Sequence, residues 1–342
     1  MIASAAHQRP HAFVIKTPTA PRTPKVDAQL ASRGPPTGMY FPLSHLPLEL
    51  ALEIIRLAAL PSIHSRSGSP ADIYAPACAL ALVSHSVRQV AMPHLLHTVI
   101  FSTQDALDLF VRALALQRHL AAARSRLRLD YAAHVRRIWA SRCWAPLVHQ
   151  PAGAYTNYGV LYPLLARARC VGLHADALHL LYDAVGGGRA STLPAWACRR
   201  AVLAGHELRW NSLVGTAPGA HFLAQLTHLA LWSNGTPGRA GGRVPGWVQR
   251  VPLECMPALT HLAFNLTSLY PNKVSILVYA LPAALHGSQA GGSTFRKWIE
   301  SDNPLDHGSV IEHHVDPWVS KDFGWESAFA GGEDDVWHQA RQ

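Results

Sequence analysis

The chain has little charge, and that charge is unevenly made. Only 15% of its 342 residues are charged, and lysine is scarce among its 30 basic residues, most of which are arginine. The formal net charge of +9 therefore fits compositional bias as well as a phosphate-binding surface, because basicity alone is weak evidence for a nucleic-acid partner. Cysteine is rare too. Cys78, Cys143, Cys170, Cys198 and Cys255 lie far apart with no CxxC pair, which excludes a disulfide framework and points to free thiols in a reducing compartment. No apolar run approaches the ~20 residues of a membrane-spanning helix, and the first residues lack the apolar centre of a signal peptide. The expectation is an intracellular protein, cytoplasmic or nuclear, with no membrane partner.

The motifs of common enzymes are also missing. HExxH, GxSxG and GxxxxGK followed by Ser or Thr do not occur, so a zincin site, a nucleophile elbow and a P-loop lose their usual signatures. Gly186 to Arg189 reads as a loop between a helix and a strand. Among the 21 histidines, the densest grouping is His174, Asp176 and His179, but residues five apart fall on different faces of a helix. Adjacent His313 and His314 point oppositely in a strand. No metal, cofactor or catalytic group is expected.

What the chain does have is apolar content, 49%, enough for a sizeable core. It is distributed unevenly. Residues 1–40 are Pro-rich and basic, the composition of a disordered tail; Thr17-Pro18 and Thr23-Pro24 are candidate sites for proline-directed phosphorylation. From Leu48 the pattern changes: Glu49, Glu53 and Arg56 form one narrow polar stripe, while Leu48, Leu50, Leu52, Ile54, Ile55, Leu57 and Ala58 cover the rest. A helix on its own domain's surface needs an apolar stripe of only about 100°. The surplus predicts packing on two sides, one of them against another protein; a buried helical hairpin is the alternative. A polar loop is expected over Pro61 to Ala75, then an apolar segment from Ala77 to Val83. Ser84 is the expected N-cap of a helix closed by Pro93.

These residues resemble an F-box: Leu46-Pro47-x-Glu49-Leu50 opens the first helix, and Leu82-Val83-Ser84 stands where the family has its Leu-Val-Cys or Leu-Val-Ser signature. LPLELALEIIRLAA with ALALVSHSVRQVAMPHLLHTV is especially similar to fungal F-box-like proteins. Val87 replaces the family's frequent Trp, and the 61–75 loop is long for the family. The resemblance implies docking onto the Skp-type linker subunit of a cullin–RING ubiquitin ligase through Leu46, Pro47, Leu50, Ile54, Val83 and Val87. The sequence does not divide these six between partner-facing and module-core roles.

A repeat follows. Leu226 to Asn234 reads LxxLxLxxN, the core of a leucine-rich repeat, and the pentapeptide LTHLA recurs 33 residues later at Leu259. Looser windows begin at Leu96, Val135, Ala168 and Cys198, giving spacings of 39, 33, 30, 28 and 33 residues along the six starts. Each window predicts a short strand, stacked in parallel on its neighbours. The intervening Asp105–Leu120, Ala175–Val185 and Glu207–Leu226 stretches are expected to be helical. Farther on, KVSILVYALP predicts a strand, HGSQAGGS a linker, and Phe295–Glu300 a helix. Trp318, Trp325 and Trp337 mark an aromatic terminus expected to cap the stack.

The expected fold is mixed α/β: a tail at 1–40, a three-helix F-box-like module at 41–97, an irregular leucine-rich-repeat-like domain at 98–270 and a strand/helix cap at 271–342. Its expected role is a non-catalytic adaptor that brings an unknown protein substrate to a ligase. Substrate contact is expected from side chains beside the inward leucines: Arg137, Trp139, Arg200, His228, Trp232, His261 and Asn265. Aromatic and Arg residues are favoured as interface anchors. Two other readings remain open: a repeat scaffold unrelated to ubiquitin, and a nucleic-acid-binding protein using the cluster from Arg118 to Arg142. That cluster also reads as a solvated face, so nucleic acid is the less favoured partner.

Overall fold

A computed structural model of the protein describes residues 46–60, 70–143, 158–186, 195–205, 208–232, 246–266, 273–286, 291–301, 307–314 and 337. The expected tail at 1–40, Trp318 and Trp325 lie outside the described residues. Pro47–Gln342 form one compact unit.

Three helices come first: α1 (Leu48–Ala58), α2 (Pro70–Val83) and α3 (His85–His97). Pro47 sits at the N-cap of α1, one place ahead of the expected first turn, and its carbonyl accepts from the Leu50 and Ala51 amides at 3.1 Å each. The Ser84 hydroxyl accepts from the Val87 amide at 3.2 Å, the N-cap bond expected for α3. Two expectations need correction. Residues 70–75 were expected in a loop, yet α2 begins at Pro70, a position where a missing N–H costs nothing. Pro93 does not close α3, which runs on to His97; the last turns carry buried Met92 and Leu96 into the main core, which outweighs the one lost helical bond.

The chain then alternates strand and helix. The sheet comprises β1 (Thr98–Thr103), β2 (Arg137–Arg142), β3 (Cys170–Leu173), β4 (Arg200–Ala204), β5 (His228–Trp232), β6 (His261–Leu266), β7 (Lys273–Ala280) and β8 (Gly308–His314), in that order across its width. β1 to β6 pair in parallel, and β7 and β8 turn antiparallel. Strictly consecutive parallel strands require crossovers of one hand, which puts every connecting helix on the same face. Those helices are α4 (Gln104–Ala122), α5 (Tyr131–His134), α6 (Tyr162–Arg167), α7 (Leu178–Gly186), α8 (Trp210–Val214) and α9 (Ala217–Gln225). The stretch Glu207–Leu226, expected as one helix, is two: Gly215 ends α8, and Thr216 caps α9 by accepting from the Gly219 amide at 3.2 Å.

The register matches the six sequence windows position for position. Thr98, Arg137, Cys170, Arg200, His228 and His261, the third residue of each window, are successive cross-strand partners. The alternate residues Ile138, Val171, Leu203, Leu229, Leu231, Leu262 and Phe264 point to the helices and build the main core with Leu107, Leu181 and Phe222. The far end is closed by α10 (Gly291–Glu300), with Phe295 and Ile299 buried. Gly291 and Gly292, expected in a linker, open this helix instead, and only glycine fits there because a Cβ would collide with the carbonyls of Leu259 and Leu253 respectively. Arg296 donates to the Gln249 carbonyl at 2.7 Å and also to that of Val251, tying α10 to the chain before β6.

Candidate functional site

Two surfaces gather the residues that sequence reasoning singled out. The first is on the helical module. Ala51, Ile55 and Ala59 form the stripe of α1 that faces inward; Ile55 and Ala59 are buried with Ala77 and Ala91, against Leu80, Val87 and Val90. That small contact leaves the rest of the apolar wrap outside. Leu48, Leu50 and Leu57 are more than half exposed, and Leu82 and Val83 at the end of α2 are 84% and 68% exposed. Of the six residues expected to dock a partner, Pro47, Leu50, Ile54 and Val83 are exposed and Leu46 is half-buried. Val87 is half-buried and packs against the module's own small core.

The second surface is the face of the sheet turned away from the helices. Alternation along each strand brings all seven expected substrate-face residues onto this one side. Exposure divides them. Arg137, Arg200 and Asn265 are half-buried, whereas Trp139, His228, Trp232 and His261 are buried. Residues near the end of the chain and in α2 supply the cover. Trp139, fully buried, lies opposite Gly172, which leaves room for its ring. It clusters with Ile100 and Cys170, and Tyr74 of α2 packs on that group while its hydroxyl donates to the Thr98 carbonyl at 2.8 Å. At the other end Trp337 covers Ala204, Ala230, Trp232, Ala263, Ile276 and Val278. The terminal tryptophan expected over the end of the stack thus lies on the sheet face instead.

Under Trp337 the recurrent Thr-His pair makes an ordered ladder. The hydroxyls of Thr227 and Thr260 each donate at 3.0 Å to a carbonyl of the preceding strand register, Arg199 and Thr227 respectively. Each hydroxyl has one proton to give, so its oxygen accepts from the neighbouring imidazole Nδ1 at 2.9 Å. This aligns the His228 and His261 rings in a parallel stack with centroids 4.2 Å apart. Trp337 stands nearly perpendicular to both, at 5.1 Å from His228 and 5.9 Å from His261.

Burial holds one thiol and one phenol in their protonated forms. Burial, helped by nearby Asp108, pushes the Cys143 thiol up to about 12. The Tyr158 phenol is likewise raised to about 12 by burial and Asp108, to which it donates at 3.1 Å. His174 Nδ1 lies 3.9 Å from Asp176, and His179 Nδ1 donates to the Asp176 carbonyl at 2.9 Å. Among the described residues no three His, Cys, Asp or Glu side chains are grouped to hold a metal ion. No helix among them is long and apolar enough to cross a membrane. Arg124, Arg126 and Arg128 of the basic cluster are exposed beyond the end of α4, while Arg137 lies on the sheet face.

Sequence reasoning missed Tyr74 and did not place Trp337. Nothing in the 61–75 composition marked Tyr74 as helical, because Pro70 and Pro76 bracket it. No protein-family model matches the chain, and no curated protein or solved structure is significantly similar to it.

Proposed function

We propose that the protein is a non-catalytic adaptor: α1 to α3 form an F-box-like module that docks the Skp-type linker of a cullin–RING ubiquitin ligase, and the parallel sheet, read as an irregular leucine-rich-repeat stack, holds a target protein. The observation that carries the reading is the exposed apolar surplus on α1 and the end of α2. Leu48, Leu50, Ile54, Leu57, Leu82 and Val83 remain in contact with water although each large aliphatic side chain gains about 1.5–3 kcal/mol when fully buried. Exposed large apolar side chains concentrated on one small module support a protein-interaction site. It coincides with the residues that carry the sequence resemblance.

The mechanism is proximity. An adaptor bound to both partners raises the effective concentration of the target beside the ubiquitin-charged enzyme, and performs no chemistry itself. The test is co-purification of the full chain with a Skp-type linker subunit. The wild-type chain captures it; Leu50→Asp and Ile54→Asp lose capture while keeping the wild-type melting temperature, since both positions are exposed. Equal capture by wild type and both variants refutes the docking surface. No capture by the wild type refutes the ligase reading and leaves a repeat scaffold.

A further inference from the structure

We propose that the open sheet face recognises an acidic segment carrying an aromatic side chain, and that Trp337 of the same chain occupies the aromatic position in the unbound protein. The inference rests on reading this face as the target site and names the chemistry of its target.

The receiving bay is built from the register. Ala230 and Ala263 are direct partners, so two strands side by side present nothing larger than a methyl group. Val202 and Val278, their outer partners, stand at the two ends of that row. The stacked His228 and His261 rings wall one side, and Trp232 walls the other. The result is an indole-sized recess with aromatic sides, and Trp337 is 93% covered in it, being only 7% exposed. Its near-perpendicular approach to both imidazoles is the geometry aromatic pairs prefer.

Charge supplies the second half. The row that holds the His pair continues across the sheet through Arg200 to Arg137. With strands about 4.8 Å apart, Arg200 is one strand from His228. Trp337 is preceded in sequence by Glu333, Asp334 and Asp335. An aromatic residue following three carboxylates is the complement of a row in which arginines lead to an aromatic bay. Polar and ionic complementarity of this kind sets the direction and identity of a bound segment more than its raw affinity.

The probe is the synthetic peptide GGEDDVWHQ, residues 331–339, titrated into the full-length protein, with binding read by calorimetry and the site by the imidazole NMR signals of His228 and His261. Trp337→Ala binds the peptide and shifts both imidazoles. The wild type binds it at least about tenfold more weakly, because a tethered competitor acts at an effective concentration on the order of 1 mM. Trp337→Phe, which keeps an aromatic ring and the fold, falls between. GGEDDVAHQ does not bind, and GGKKKVWHQ binds more weakly than the acidic peptide. Absence of binding to folded Trp337→Ala, equal binding to wild type and variant, or equal binding of the three peptides overturns the inference. Linker capture through α1 uses a different surface: its failure leaves the peptide result standing, and failure of the peptide alone leaves the docking reading intact.

Discussion

On the open face of the sheet the large apolar rings are under cover, Trp139 in a cluster that Tyr74 closes and Trp232 beneath Trp337. On α1, by contrast, Leu48, Leu50 and Leu57 stand more than half exposed, continuous in kind with Leu82 and Val83. Both surfaces are rich in side chains that favour burial, and the difference lies in what surrounds them. A residue in the middle of an eight-stranded sheet has neighbours on both sides at strand spacing, and this chain lays distant segments across it. Helix α1 is held along one stripe, Ala51–Ile55–Ala59, and Leu48, Leu50 and Leu57 stay more than half exposed. The proposed peptide competition tests the covered surface, and the proposed linker docking tests the uncovered one.

That contrast breaks most sharply under truncation. Trp139→Ala empties a fully buried site and is expected to cost about 3–5 kcal/mol, read as a lower urea midpoint with unchanged slope. Leu50→Ala, on the exposed helix, should stay within about 0.5 kcal/mol of wild type. Ile55→Ala tests the stripe between them: it is buried, but in a small cluster, so a loss near about 2 kcal/mol, the low end for such changes, is expected. If Leu50→Ala cost as much as Ile55→Ala, α1 would have to be packed on both sides.

Acid sharpens the same distinction. Burial lowers the pKa of His179, and burial lowers that of His94 and His97 with nearby arginines adding to it. In His179 the Nδ1–H already serves the Asp176 carbonyl, and Nε2 is buried without a hydrogen-bond partner among the described residues, so a second proton is poorly received. Below about 6.5 the unfolded chain binds protons that the folded state takes up only at lower pH. Stability is therefore full above that value and falls as pH drops through the folded pKa values. A thermal melt followed from pH 7 to 5 should show this, and His179→Gln should flatten the dependence.

The smallest effect is kinetic. Cys143 and Cys198 are buried with their thiols pushed well up by burial, while Cys78 on α2 is exposed. Iodoacetamide should label Cys78 in the native protein and leave the other two untouched until denaturant is added, as peptide mass mapping will read.

Much of this is legible in the sequence. The six windows beginning at Leu96, Val135, Ala168, Cys198, Leu226 and Leu259 mark the strands β1 to β6 in register, because strand alternation is local and each window carries its own inward residues. The LTHLA repeat also foreshadowed the His228–His261 stack. Helix limits were less legible where proline intervened, as at Pro70, Pro76 and Pro93, since tolerance of a missing N–H depends on position in the helix and on what the next turn buries.

Local periodicity was enough to assign strand, helix and the two sides of the sheet, and to mark α1 as greasier than one contact requires. It was blind to cover. Whether Trp139, His228, Trp232 and His261 meet water depends on Tyr74 and Trp337, residues remote in the chain whose placement follows from the packing of the whole unit. Burial is a property of what arrives from elsewhere, and no window of sequence contains its own neighbours.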